Sequence, residues 1–385
     1  MKAACVRDYK LLAKKRLPKF LFEYLAGGSY SEVTMKQNIA DLQALSLRQR
    51  VLSGSPDIDT KVELFGSNYN LPVALGPVGL AGMYARRGEC QAIKAAESSG
   101  VPFALSTVGV CPIDEVAKVS NKPFWFQLYM IKDRSFMIDL LTQAREAKCS
   151  ALIFTVDMPV PGSRYRDYHS GLAGESWLSG NLRRVSQAIM KPSWALDVGL
   201  LGMPHKLGNV APVLKKNSGL EDFMGWMSSN FDPAVSWKDI EFVRDNWDGP
   251  IVLKGILDPE DALQAAKLNV DGIIVSNHGG RQLDGVISSA KSLPRIADAV
   301  GDKLDVLVDG GITSGLDVVR MLALGAKSVL LGRSWVYALA AKGQKGVEHV
   351  IDLIHKEMIV AMTLTGCRSL KDINRKVIDL SLIHI

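Results

Sequence analysis

What this sequence lacks narrows its class first. Apolar residues make up 47% of it, yet no run approaches the roughly 18 uninterrupted apolar residues of a spanning helix. The N-terminus has no secretory apolar core, because Lys10, Lys14, Lys15 and Arg16 break up its short apolar patches. No signal peptide is read there, and cytosolic synthesis without export is the expectation. Cysteine is sparse and unpatterned: five residues (Cys5, Cys90, Cys111, Cys149, Cys367), odd in number and without C-x-x-C spacing, point to neither a disulfide framework nor a zinc site. Reduced, structural thiols and no metal are expected. Acidic side chains are scarce in one window. Between 177 and 217, six basic residues (Arg183, Arg184, Lys191, Lys206, Lys215, Lys216) face a single acid, Asp197, and this +5 dominates a net charge of +6.

What is present reads as alternation. Short apolar runs at 71–75, 102–105, 124–128, 151–156, 251–253, 272–275, 305–308 and 328–331 are separated by helical lengths of chain, notably 88–99, 134–148, 259–268, 290–300, 315–324 and 335–341. Eight strands alternating with helices predict a parallel sheet closed into a (β/α)8 TIM barrel of the α/β class, formed by the 385 residues as one domain. Helix-like stretches at 8–16 and 18–26 precede it, the second placing Tyr24 on its last turn before Gly27-Gly28. The interval 158–250 is far too long for a barrel crossover, so an insertion follows the fourth strand. Its basic window also holds Trp177, Trp194 and many aliphatics, a combination suited to lying on an anionic bilayer without crossing it; an active-site lid is the alternative. No nucleic-acid motif accompanies the charge, and no nucleic-acid partner is expected.

In this fold chemistry sits just beyond the strands' C-terminal ends. Those positions hold Pro77-Val78-Gly79, Ser106, Gln127 with Tyr129, Thr155 with Asp157, Lys254, Ser276 with His278, Asp309-Gly310-Gly311, and Gly332-Arg333. The sixth strand delivers Ser276-Asn277-His278-Gly279-Gly280-Arg281-Gln282-Leu283-Asp284-Gly285. Within four positions this offers an imidazole base and a guanidinium shaped to grip a carboxylate, with glycines that let backbone approach a ligand. Such a pair suits removal of hydrogen from the carbon beside a carboxylate. The glycines and arginine after the seventh and eighth strands suit a phosphate. Lys254 is read as a fixed cation for charge forming on a cofactor ring, with a Schiff-base lysine or a structural ion pair as alternatives. Asp157 can orient His278, or cap the turn before Pro159.

The segment 276–285 resembles the active-site signature of the FMN-dependent α-hydroxy-acid dehydrogenase and oxidase family, and the similarity runs over nearly the whole chain, including 20–32, 71–89, 154–170 and 362–366. The resemblance implies FMN held by Pro77, Val78, Gly79, Ser106, Gln127, Thr155, Lys254 and Ser276, with its phosphate at Asp309, Gly310, Gly311, Gly332 and Arg333. It implies His278 as base partnered by Asp157, and Arg281, Arg164, Tyr24 and Tyr129 as the substrate's holders. Lys254 and Tyr129 join His278 and Asp157 in the catalytic set.

Within the family the likeness is to the membrane-associated branch that oxidises L-lactate to pyruvate. That implies a peripheral attachment at the cytoplasmic face of the inner membrane, a membrane quinone as electron acceptor, and a homotetramer. Gly79, where the family's oxidases usually carry Ala, is a modest vote against O2 as acceptor. Mandelate or glycolate is the substrate alternative, and a catalytically silent phosphate-binding barrel the non-enzyme one. The resemblance also leads one to expect a longer polar tail in place of 380–385.

Overall fold

A computed structural model describes residues 2–54, 57–203, 205–213, 225–227 and 229–379. The expected barrel is present. Its eight parallel strands are β3 (Val73–Leu75), β4 (Ala104–Ser106), β5 (Trp125–Tyr129), β6 (Ala151–Thr155), β7 (Ile251–Ile256), β8 (Gly272–Val275), β9 (Asp305–Val308) and β10 (Ser328–Leu331). They pair in the order β3-β10-β9-β8-β7-β6-β5-β4. The ring closes where Leu75 N–H donates to Pro102 O at 2.9 Å and Leu75 bridges Phe103. These strands are short and almost wholly buried, which is why they read as continuous aliphatic runs rather than alternating ones.

Alternate residues fill the two sides. Ala74, Ala104, Trp125, Ile153, Val252, Ile274, Leu307 and Leu330 pack together as one cluster, while neighbours such as Leu75, Phe126, Phe154, Leu253 and Val308 pack in the larger core with the surrounding helices. A hairpin not anticipated from the sequence, β1 (Val62–Leu64) with β2 (Ser67–Tyr69), joins the first cluster: Val62 and Leu64 are buried in it, and Phe65 meets Trp125 edge-on at 5.6 Å. The hairpin's strands are half-exposed and carry Glu63, Ser67 and Asn68, so they spell no continuous apolar run.

Ahead of the barrel lie α1 (Val6–Arg16), α2 (Lys19–Ala26) and α3 (Val33–Ala44). The third escaped the sequence reading because its buried face is largely polar, with Thr34, Asn38 and Asp41 beside Leu42. The last helix is longer than read. It runs Arg333–Thr365 with a break at Lys342–Gly343, so 335–341 is only its first part. The insertion follows β6 as expected and includes α8 (Tyr165–Ser170) and α9 (Trp177–Ile189), with α4 (Ala81–Tyr84), α5 (Gly88–Ser99), α6 (Ile113–Val119) and α7 (Arg134–Glu146) earlier in the chain. Its returning end docks on the exit of β5, where Lys132 N–H bonds Asn230 O at 2.8 Å and Asp232 N–H bonds Met130 O at 3.1 Å. Lys215 and Lys216 of the basic window, and residues 380–385, lie outside the described residues.

Candidate active site

The strand ends open into one cavity of about 860 Å3, within the ordinary range of small-molecule sites. His278 follows β8 and reaches Asp157, just past β6, with Nδ1 2.9 Å from Oδ1. A carboxylate can only accept, so Nδ1 carries the proton of this contact, and in the neutral ring the lone pair lies on Nε2. Burial pushes the Asp157 carboxyl up, but the facing His278 and Lys254 outweigh it and hold the group below its usual value. Gly255 makes this approach possible. It sits at a bulge in β7 with φ 115, and a Cβ there would lie 2.4 Å from that of Asp157.

Beside the histidine are two guanidiniums over one ring: Arg281 and Arg164 stand 5.0 and 5.2 Å from the Tyr24 centroid. Arg281 spends Nη1 on the carbonyls of Tyr24 and Gly27, each at 2.8 Å. The Arg164 side chain is buried, its Nε and Nη1 have no hydrogen-bond partner among the described residues, and the Asp167 carboxylate lies 3.7 Å from Nη1. Burial and the neighbouring Arg164 pull the Arg281 pKa down. Two crowded cations with unused donors make a receptor for a carboxylate. Tyr129 completes this end. Burial and then the Asp157 charge raise its phenol, leaving a neutral hydroxyl donor, and its ring stacks on Phe231 at 4.8 Å.

Lys254 points from β7 to Asp309 Oδ2 and Ser276 Oγ, both at 2.9 Å. Burial opposes its charge, but Asp309 and Asp157 more than restore it, and the pKa is raised. A Schiff-base lysine needs the opposite shift. The fixed cation and the ion pair therefore coincide. Ser106, Gln127 and Thr155 form a buried chain, Ser106 Oγ donating to Gln127 Oε1 (3.0 Å) and Gln127 Nε2 to Thr155 Oγ1 (2.9 Å). They and Ser276 lie behind the cavity's lining rather than on it, whereas Pro77, Val78 and Gly79 line it directly.

At the far end Asp309, Gly310, Gly311, Gly332 and Arg333 line the same cavity. Arg333, first residue of the last helix, donates among the described residues only to the carbonyls of Leu25, Gly27 and Gly279. Burial and the Arg281 charge lower its pKa to about 10. Gly310 and Gly311 take φ 102 and 80, and a Cβ on Gly311 would strike Asn38 O at 2.5 Å. The sequence reading missed other groups here. Met227 reaches the lining from the insertion, Asn38 from α3, and Tyr84 from α4 with a buried hydroxyl that has no partner among the described residues. No strand-end signal marks them; each is brought in by packing.

The family model for FMN-dependent dehydrogenases matches residues 13–380. The chain belongs to this family. As an FMN-dependent dehydrogenase it is 61% identical to an L-lactate dehydrogenase of Caulobacter sp. (strain K31) over 371 residues, covering 96% of this chain and 97% of that one. It is 59% identical to an L-lactate dehydrogenase of Acinetobacter baumannii (strain AYE) over 95% of each. Among solved structures it is similar to the monotopic membrane protein (S)-mandelate dehydrogenase, with TM-score 0.91, 32% identity, and 98% and 100% of the two chains covered. A mandelate oxidase superposes with TM-score 0.82 at 36% identity over 96% of each chain.

The residues present fit the family's cofactor. Asp309 Oδ1 lacks a partner among the described residues and can accept from a cofactor hydroxyl, while the half-buried Arg333, at a helix N-terminus and beside the same cavity as Gly310 and Gly311, offers the cation and backbone that a phosphate monoester needs. Pro77–Gly79, Lys254 and the glycines that follow β9 and β10 (Gly310, Gly311 and Gly332) would hold FMN.

Proposed function

We propose that this FMN-dependent dehydrogenase oxidises L-lactate to pyruvate and passes the electrons to a membrane quinone. The observation that carries the substrate class is the pair of guanidiniums with unused donors beside the His278–Asp157 couple. Their charge takes the 2-hydroxy acid's carboxylate, and Tyr24 and the neutral Tyr129 supply hydroxyls to its oxygens. Nε2 of His278 then receives one proton, from the carbon or from the hydroxyl according to the order of events, and Asp157 stabilises the imidazolium. FMN, when bound, supplies the two-electron acceptor. Lys254 provides a fixed positive charge at that end of the cavity. The 59–61% identity to lactate enzymes favours lactate, while the fold likeness to mandelate enzymes keeps mandelate as the second reading. Val108, Met158 and Met227 line the cavity, and they would meet the substrate's side chain.

The segment 177–217 is our candidate for membrane attachment, with a changed physical basis. Several of its charges are satisfied within the chain: Arg183 bonds Glu175 and His169 O, Lys191 the carbonyls of Lys14 and Lys15, and Asp197 pairs with Arg16. What α9 presents outward is apolar. Leu178, Leu182, Val185 and Ile189, spaced as one helical face, are 56–70% exposed, and Met190, Leu196, Leu200 and Leu201 extend the patch. Burial of aliphatic side chains in the interface, with charge second, supports a peripheral attachment. No helix among the described residues is long and apolar enough to cross a membrane. We place that membrane at the cytoplasmic face and the assembly as a homotetramer on the family resemblance.

Dye-linked turnover of L-lactate, D-lactate, glycolate and (S)-mandelate tests the substrate. Preference for L-lactate with pyruvate as product is expected, and faster turnover of mandelate would replace lactate with the second reading.

A further inference from the structure

The loop carrying His278 and Arg281 holds a shape it would not keep alone. His278, Gly279 and Gly280 are all left-handed (φ 57, 63 and 70), a run that glycine tolerates and histidine does not favour. Asn277 closes the turn. Its backbone carbonyl accepts the Gly280 N–H at 3.0 Å, and its side-chain Oδ1 accepts the same N–H at 3.1 Å.

That side chain is itself gripped. Asn38 Nδ2 donates to Asn277 Oδ1, and Asn277 Nδ2 donates to Asn38 Oδ1, both at 2.8 Å. Three backbone groups fix which way the two amides face: Gly280 N–H on Asn277 Oδ1, Ile287 O on Asn277 Nδ2 and Ser289 N–H on Asn38 Oδ1. Both residues are buried, at 1% and 4% exposure, so water cannot replace a lost partner. The far end of the loop meets the same helix, because Asp284 accepts the Val33 and Thr34 N–H groups that begin α3. The catalytic loop is therefore fastened to α3 at two points.

We propose that Asn277 and Asn38 are positioning residues for the reaction. Their reciprocal amide pair sets the left-handed turn, and with it the aim of His278 Nε2 relative to the Arg281 guanidinium three residues on. Neither amide need touch the reacting carbon. This role rests on the base and clamp assignments above, not on which 2-hydroxy acid is bound.

The test uses the FMN-loaded full chain with Asn277→Ala, Asn38→Ala and the double variant. Each single change strands a buried amide and lowers stability; the double removes both partners and recovers much of that loss. For a positioning pair, kcat stays at least tenfold down in the double variant, since a misplacement near 1 Å costs up to about a hundredfold. KM should change by less than threefold, and the isotope effect from 2-deuterated substrate should be at least as large as in the wild type. A double variant with wild-type kcat overturns the proposal and leaves the pair a purely structural one. A lowered kcat with the isotope effect collapsed toward one also overturns it, because the lesion then lies after C–H cleavage. The comparison runs on whichever 2-hydroxy acid the wild type oxidises. Failure of the lactate reading thus shows in the wild type, and failure of the positioning role only in the variants.

Discussion

Arg164→Met should make the protein more stable and a poorer enzyme at once. The arginine is buried with no hydrogen bond to Nε among the described residues and only the Asp167 carboxylate, 3.7 Å off, facing Nη1, and an unmet buried donor costs about 1–3 kcal/mol while it waits. Methionine fills similar space without that cost. Asp167 loses its neighbour in the change, but burial raises its pKa, and removing the Arg164 charge that opposes this raises it further, which limits the cost of leaving the group there. Without substrate the variant should melt about 1–3 °C higher, as a gain of roughly 1 kcal/mol implies for a chain of this size. Catalysis should move the other way. Loss of one buried partner of a carboxylate costs about 2–5 kcal/mol, or roughly 30- to 4,000-fold in kcat/KM. Pyruvate should raise the wild-type melting temperature and not the variant's. Melting curves and dye-linked kinetics on the same preparations decide it: a lower melting temperature with unchanged kcat/KM would refute the view of Arg164 as a cation held in wait for a carboxylate.

His278→Gln should keep the flavin's yellow colour and lose at least about a hundredfold in turnover; near-normal activity would remove it as the base. Replacing Leu178, Leu182, Val185 and Ile189 together by Ser should release the enzyme from membranes in a flotation assay while dye reduction persists, and retention on the vesicles would put the attachment elsewhere. Asp157, held below the ordinary aspartate value of 3.8, contributes stability that is present above that pH and lost as pH falls through its lower folded value. The stability gap between wild type and Asp157→Asn should therefore close below about pH 4. Lys254, raised above 10.5, has the opposite sign: its contribution is full below that pH and fades as pH rises through its higher folded value, so a Lys254→Met difference should fade only in strong alkali.

The barrel was legible because its strands are buried on both faces and so spell themselves as aliphatic runs with chemistry at one end. His278, Lys254 and Asp157 could be placed by that rule, and Arg281 by its place three residues after His278. Elements whose buried face is polar were not. Asn38 and Asp41 on α3 carry no hydrophobic period, yet Asn38 touches both the cavity and the catalytic loop. Met227 and Phe231 enter the site only because the returning end of the insertion hydrogen-bonds to the exit of β5, a tertiary docking that no local pattern announces. The insertion's charge was conspicuous, but Arg183 and Lys191 are turned onto the protein's own groups. The apolar stripe spaced by four, three and four residues was the more telling signal.

The visible spectrum of the purified protein, recorded without oxygen before and after L-lactate, tests the proposed chemistry most directly. A flavin band that bleaches with L-lactate, and not with D-lactate, is the expected result. A flavin band that L-lactate leaves unchanged would contradict the substrate assignment, and protein that stays colourless after incubation with FMN would contradict the phosphate site at Gly310, Gly311 and Arg333.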